Sequence, residues 1–269
     1  MTESETQLEG LEPDRYVSLF FVPAAVRRDV SALYGFEMEL ARVASQVAEP
    51  IIAQIRYAWW REQLALVYDG RISPAPGFQS IAPVIEKHRL PRQLFDQLID
   101  AHAVDCEAFP FADFAQMERY ARETAACVFK LAARILGAGE RVDRAADLAG
   151  VAYGLSRQLQ EFAHWRLHKR MRLAFDAVPG ADEEGDALSS DEKDRERFAR
   201  AIDTTKELIR THLRQLNQVS FPSRYVSILA PAAMARTASS DRFDVFEPHS
   251  ISVFRRVARI SAANLLLRF

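Results

Sequence analysis

Two neighbouring stretches decide how this chain folds: YARETAACVFKLAARILG at residues 120–137 and AGVAYGLSRQLQEFAHWRLHKRMRLAF at residues 149–175. The first predicts a helix over about 113–136, closed by GAGE, with Gly137 and Gly139 as stop signals. The second belongs to a helix that starts near Asp143 and is expected to run unusually far, to about Val178. Upstream, Pro23 fits the first turn of a helix whose apolar residues Val26, Val30, Leu33, Tyr34, Leu40 and Val43 recur at helical spacing. Pro50 separates it from a second helix that Gly70 ends, and short helices over 78–88 and 91–107 follow the turn SPAPG. After the acidic segment PGADEEGDALSSDEKD, Ser190 or Asp191 is placed to cap a helix running to about Val219. Helices over about 222–237 and 250–267 complete the chain, with no convincing strand and no internal repeat. Eight or so helices in one domain predict an all-α bundle.

Composition agrees. Apolar residues make up 49% of 269, enough for a sizeable core, and only 10 glycines argue against many short strands joined by tight turns. Net charge is −2, so nothing global points to nucleic acid. Residues 182–196 hold eight acids against two bases, leaving a mildly basic body able to meet anionic partners or a membrane surface. Cys106 and Cys127 lie in apolar helical contexts without CxxC spacing and read as buried free thiols in a reducing compartment. Residues 1–13 read as a disordered N-terminus ahead of a single domain over 14–269, with a loop at about 179–194. The N-terminal stretch is acidic and polar, unlike a signal or transit peptide, which favours a bacterial cytoplasm, or the matrix face of a mitochondrion for a processed chain. The longest apolar runs fall far short of a membrane span.

Taken with DRYVSLFFVP at 14–23, LYGFEMELARV at 33–43 and QIRYAWWREQL at 54–64, the two opening stretches give five motifs in order that resemble the squalene/phytoene synthase family over nearly the whole chain. The resemblance implies a single-domain isoprenoid-synthase helical bundle that joins two prenyl diphosphates head to head. It also implies two aspartate motifs on facing helices, which hold Mg²⁺ against the diphosphate. Diphosphate leaves poorly unless its charge is neutralised, and Mg²⁺ requires oxygen ligands in octahedral array. Here the first motif reads Ala41, Arg42, Val43, Ala44, Ser45, without a carboxylate. The second keeps Glu161 but places Trp165 at its other ligand position. Ala126 and Phe129 stand where the family usually has glycine, and a phenylalanine fills volume that glycine leaves open. Lys169, Arg170 and Leu173 echo the family's GRxYLP, with Arg172 and Ala174 departing from it.

Other candidates are weaker. Trp59 and Trp60, flanked by Arg56 and Arg61, form either a packed pair rimmed by charge or an aromatic pocket facing an anion. The DxxxD pairs Asp96/Asp100, Asp143/Asp147 and Asp182/Asp186 read as solvated or hydrogen-bonded groups, a helix start, and an acidic loop. Glu161, His164 and His168 have di-iron spacing but no second copy. The basic set Arg42, Arg56, Arg61, Arg157, Arg166, Lys169, Arg170 and Arg172 is expected either to converge on a phosphate or to form surface ion pairs. The expected pocket comprises Tyr34, Arg42, Arg56, Trp59, Trp60, Arg61, Phe129, Arg157, Glu161, Trp165, Lys169 and Arg170, with no catalytic residue and no metal ligand among them.

The branch of the family that lacks both aspartate motifs resembles assembly factors of respiratory complex I, through Phe36, Glu39 to Val43 and Trp59 to Arg61. The expectation is a non-catalytic scaffold without a cofactor, meeting a respiratory subunit at a membrane face and peripheral to that membrane. The alternatives are a Mg²⁺-dependent prenyltransferase and a binder of polyprenyl phosphate or another lipid. The last helix, with four arginines and a broad apolar face, packs as a terminal helix, lies on a membrane, or receives a hydrophobic partner.

Overall fold

The computed structural model describes residues 9–10, 12–47, 49–107, 110–167, 170, 172–174, 192–247, 251–266 and 268–269. Among them there is no strand. Prolines set the early helix starts: α1 (Pro13–Leu19) and α3 (Pro50–Tyr68) carry proline in the first turn, and α2 (Ala24–Gln46) follows Pro23. α4 (Pro76–His88) also opens on proline and ends at Arg89, the one non-glycine residue with positive φ among the described residues (50°). Its left-handed turn lets Leu90 N donate to Ile85 O at 3.0 Å. α5 (Arg92–His102) continues into a 3₁₀ turn, Ala103–Cys106.

α6 (Phe114–Ala121) is capped by Asp113, which accepts from Gln116 N at 2.7 Å. It runs through a π-helical turn, Arg122–Ala126, into α7 (Cys127–Ile135), so the helix expected over 113–136 carries a bulge in its middle. Gly137, at φ 78°, closes it. The bulge faces α8 (Asp143–Leu167) at very short range: a Cβ on Gly150 would lie 2.2 Å from Ala126 Cα, and one on Gly154 2.8 Å from Ala121 Cβ. Small residues on both helices allow that approach.

α8 ends at Leu167, about eleven residues before the expected Val178. Arg170 N donates to Trp165 O at 2.9 Å and the chain turns inward, burying Arg172, Leu173 and Ala174. A tertiary pull, described below, ends the helix where its local sequence does not. α9 (Glu192–Leu216) follows, its expected cap at Ser190 or Asp191 lying outside the described residues, as do residues 179–191 of the acidic stretch. The helix expected over 222–237 is composite: 3₁₀ turns at Ser223–Tyr225 and Ala230–Met234 alternate with α10 (Val226–Leu229) and α11 (Ala235–Ala238). α12 (Val253–Leu266) ends the bundle.

One aromatic cluster anchors the core: Phe36 meets Trp60, Phe78 and Phe95 edge to face at 5.2–5.4 Å. Residues 9, 10, 12 and 13, expected within a disordered N-terminus, are instead structured, with 9 and 10 helical and Pro13 opening α1, while 1–8 and 11 lie outside the described residues. Glu12 O accepts the first bond of α1, from Tyr16 N at 2.9 Å, and its side chain enters the interior. No helix among the described residues is long and apolar enough to cross a membrane.

Candidate functional site

α2 and α8 face one another across a cavity of about 110 Å³, with the 3₁₀ turn after α5 forming its floor. Ala41 on α2 and Glu161 and Trp165 on α8 line it, at the positions where the two aspartate motifs would stand. Arginine–carboxylate pairs occupy the interior. Arg15 pairs with Glu37, and Arg157 pairs with Glu12 at 3.1 Å and with Glu161 one turn along its own helix. Arg172 pairs with Asp105 at 2.6 Å and donates from Nε to Gln158 Oε1 at 2.9 Å. His102 Nδ1 lies 2.7 Å from the other Asp105 oxygen, and its Nε2 is 3.8 Å from Glu37. Trp165 Nε1 donates to Glu161 at 3.1 Å. Guanidinium faces meet rings: Arg172 lies 5.0 Å from the Tyr120 centroid and 5.1 Å from that of Trp165, and Arg15 lies 5.4 Å from that of Tyr34.

The charges hold one another in place. Burial pushes the Asp105 carboxyl up, but the Arg172 guanidinium and His102 outweigh it and bring it down to about 2. Burial lifts the Glu12 carboxyl above its usual range despite Arg157 and Arg15. Burial works against the charge on Arg15, Arg157 and Arg172, yet their carboxylates keep all three firmly protonated. Arg15 Nε, His102 Nε2 and Tyr153 OH have no hydrogen-bond partner among the described residues and border a space suited to a few waters.

These residues do not fit a Mg²⁺–diphosphate site. The Glu161 carboxylate is already taken by Arg157 and Trp165, and Ala41 opposite it offers no ligand. Among the described residues no three histidine, cysteine, aspartate or glutamate side chains are grouped to hold a metal ion. Of the histidines at di-iron spacing from Glu161, the His164 ring sits edge-on to Trp165 at 5.3 Å, and His168 lies outside the described residues.

The pocket expected from the sequence is divided. Arg157, Glu161 and Trp165 line the inner cavity, and Tyr34 lies beneath Arg15 with its hydroxyl pushed up to about 12 by burial. Arg170 borders it, donating to Ala44 O at 3.1 Å and Asp105 O at 3.2 Å. Phe129 is fully buried, stacked on Tyr153 at 5.8 Å. Arg42, Arg56, Trp59 and Trp60 instead line an outer groove of about 670 Å³ with Glu39, Gln46 and Ile55. The tryptophan pair is split: Trp60 packs into the core and Trp59 is 41% exposed. Arg61 belongs to neither place and pairs at the surface with Asp100 at 2.6 Å. Lys169 lies outside the described residues.

Of the DxxxD residues, Asp96 pairs with Arg92, Asp143 with Arg134, and Asp147 with Arg122 and Lys130, while Asp182 and Asp186 lie outside the described residues. Both cysteines are free and buried, and burial pushes the Cys127 thiol up to about 12. Glu12, Arg15, Glu37, His102 and Asp105 were not expected at the site. The one signal for them is charge inside otherwise apolar stretches, as in DRYVSLFF and LYGFEMEL.

The chain resembles known proteins along most of its length. It is 23% identical over 246 residues to "NADH dehydrogenase (ubiquinone) complex I, assembly factor 6" of Rattus norvegicus, covering 87% of this chain and 72% of that protein. The Homo sapiens counterpart is 22% identical over 240 residues with the same coverage. A phytoene synthase of Rhodobacter capsulatus is 28% identical over 107 residues, covering 40% of this chain and 32% of the enzyme. Among solved structures, squalene synthase HpnC of Alicyclobacillus acidocaldarius superposes with a TM-score of 0.66 at 18% identity, covering 98% of this chain and 92% of its own. A dehydrosqualene synthase bound to a ligand superposes with a TM-score of 0.69 at 16% identity, covering 98% and 95%. These establish the isoprenoid-synthase fold expected from the motifs. The family's sequence model matches residues 10–240, and the chain belongs to the squalene/phytoene synthase family.

Proposed function

We propose that this protein is a non-catalytic member of its family that acts as an assembly factor or scaffold for a membrane respiratory complex of the complex I type, without a metal or other cofactor. One observation carries the reading: the space between α2 and α8 is closed by the protein's own ion pairs. Arg15, Arg157 and Arg172 each engage a carboxylate of the same chain, so an incoming diphosphate meets cations that are already neutralised. The likeness to the named assembly factors over 87% of the chain supports the same reading. We assign the protein partner, a respiratory subunit, to the outer face of α3, where Ile51, Ile52, Ile55 and Trp59 are exposed beside Arg42 and Arg56.

The test has two arms. The purified protein with farnesyl or geranylgeranyl diphosphate and Mg²⁺ is expected to release no diphosphate; turnover above a protein-free control overturns the non-catalytic reading. Affinity capture from solubilised membranes is expected to recover respiratory subunits, and Trp59→Ala with Ile55→Ser is expected to lose them. Recovery of none by the unaltered protein overturns the assembly role. Calorimetry with the same diphosphates is expected to give no heat of binding, whereas a stoichiometric signal favours a lipid-phosphate binder.

A further inference from the structure

We propose that α12 is a membrane-surface anchor that lies on anionic phospholipid, with its outward apolar stripe in the acyl boundary and Arg255 and Arg259 at the phosphates. A terminal helix packed on a bundle needs one apolar face, and α12 has it: Ile260 and Ala263 are buried against the body. A second apolar stripe points the opposite way. Phe254, Ala258 and Leu265 fall within about 40° of one another at 3.6 residues per turn, roughly opposite the buried face. Phe254 is 84% exposed and Leu265 79%. Leaving two large apolar side chains in water on one line is costly unless something covers them.

The charge beside that stripe identifies the cover. Arg255 and Arg259 follow one another one turn apart along its flank. They have no carboxylate partner among the described residues, and Arg259, half-buried, is disfavoured as a cation first by burial and then by the like charges of Arg255 and Arg236. Two arginines along one flank with no carboxylate partner among the described residues are complementary to an anionic surface, and an apolar stripe with arginines on its flank matches an interfacial helix. The fourteen residues span about 21 Å, too short to cross a bilayer and suited to lying in its surface plane.

The helix is held rigidly enough to present this face. Arg256, on its inner side, pairs with the fully buried Asp14 of α1. At its far end Phe269 N donates to Asn217 Oδ1 at 2.9 Å, and Asn217 Nδ2 donates back to Phe269 O at 3.1 Å. The outward stripe is therefore a fixed surface of the bundle. This inference does not rest on the assembly role: a protein with no respiratory partner would still carry the anchor.

Vesicle co-sedimentation tests it with the full chain. Wild type is expected to sediment with phosphatidylcholine vesicles containing phosphatidylglycerol or cardiolipin and to stay in solution with phosphatidylcholine alone. Arg255→Gln with Arg259→Gln is expected to weaken binding roughly thirtyfold, from about 1 kcal/mol for each arginine at an anionic surface. Phe254→Ser with Leu265→Ser is expected to remove binding while circular dichroism and the melting temperature stay those of wild type, since both positions face solvent. Wild type that ignores anionic vesicles overturns the proposal, and so does binding that survives the Phe254→Ser, Leu265→Ser pair. Concentration-dependent dimerisation abolished by that pair, without vesicle binding, assigns the face to a second copy and likewise overturns it.

Discussion

The inner cavity and the outer groove are built from the same residue types and differ in how completely their charges are paired. Inside, arginines and aromatic rings sit among Glu12, Glu37, Asp105 and Glu161, and each guanidinium is spent on a carboxylate or a ring face. Outside, Trp59, Arg42 and Arg56 line a groove with the single carboxylate Glu39 among its described lining residues, and Arg56 donates to the neutral Gln46 side chain at 3.1 Å. Residue type alone therefore does not make an anion site. What differs is how tightly the charges are paired: the inner guanidiniums are locked to buried carboxylates where a diphosphate would sit, whereas in the groove Glu39 faces Arg42 and Arg56 bonds a neutral amide.

The sharpest way to break this comparison is to remove one inner partner. Arg172→Met leaves Asp105 buried with His102 and Tyr120 beside it but without its guanidinium, and is expected to cost about 3–5 kcal/mol of stability in urea unfolding. Adding Asp105→Leu is expected to restore most of that loss, since an uncompensated charge, not a missing contact, is the penalty. A single variant that loses less than about 1 kcal/mol in urea would place the pair outside the stabilising core. The next effect is acid sensitivity. Asp105 titrates lower in the folded protein, at about 2, than its ordinary value of 3.8. Its stabilisation is thus complete above the ordinary value and lost as pH falls towards 2, a contribution of about 2 kcal/mol. Melting temperature against pH in that window should fall less steeply for Asp105→Asn, which has no such proton to take up.

The outer groove predicts the reverse profile. Trp59→Ala is expected to change stability by no more than about 1 kcal/mol, because the ring is already 41% exposed, while reducing capture of the partner. An equal loss of both would make the groove another piece of core. Smallest of all, Arg61→Ala removes an ion pair whose side chains are 42% and 61% exposed and is expected to shift stability by less than about 1 kcal/mol, vanishing in high salt.

Much of the architecture was legible because it is punctuated locally. Pro23, Pro50 and Gly137 fix helix ends through backbone chemistry that needs no neighbour. The end of α8 was not legible, because Arg172 is drawn to Asp105 and Gln158, and nothing within a helix turn of Leu167 announces that. The π-turn at 122–126 was hidden for a similar reason: its place follows from Gly150 and Gly154 on another helix. The missing carboxylates at Ala41 and Trp165 could be read directly, but what replaced them could not. Arg42 illustrates the limit. It follows Ala41 in sequence, yet a step of about 100° around the helix carries it out of the cavity and onto the outer groove.

The reach of α1 has a consequence for how the protein comes into being. Glu12 closes on Arg157, 145 residues later, and Asp14 on Arg256, 242 residues later. Contacts so far apart in sequence form late, because the entropy of closing such long loops must be met before they contribute. Until α8 and α12 dock, the charges of α1 that end up buried and its apolar face remain in water, so partly folded forms should be the ones that most need chaperones, and that need should end with the docking of α12.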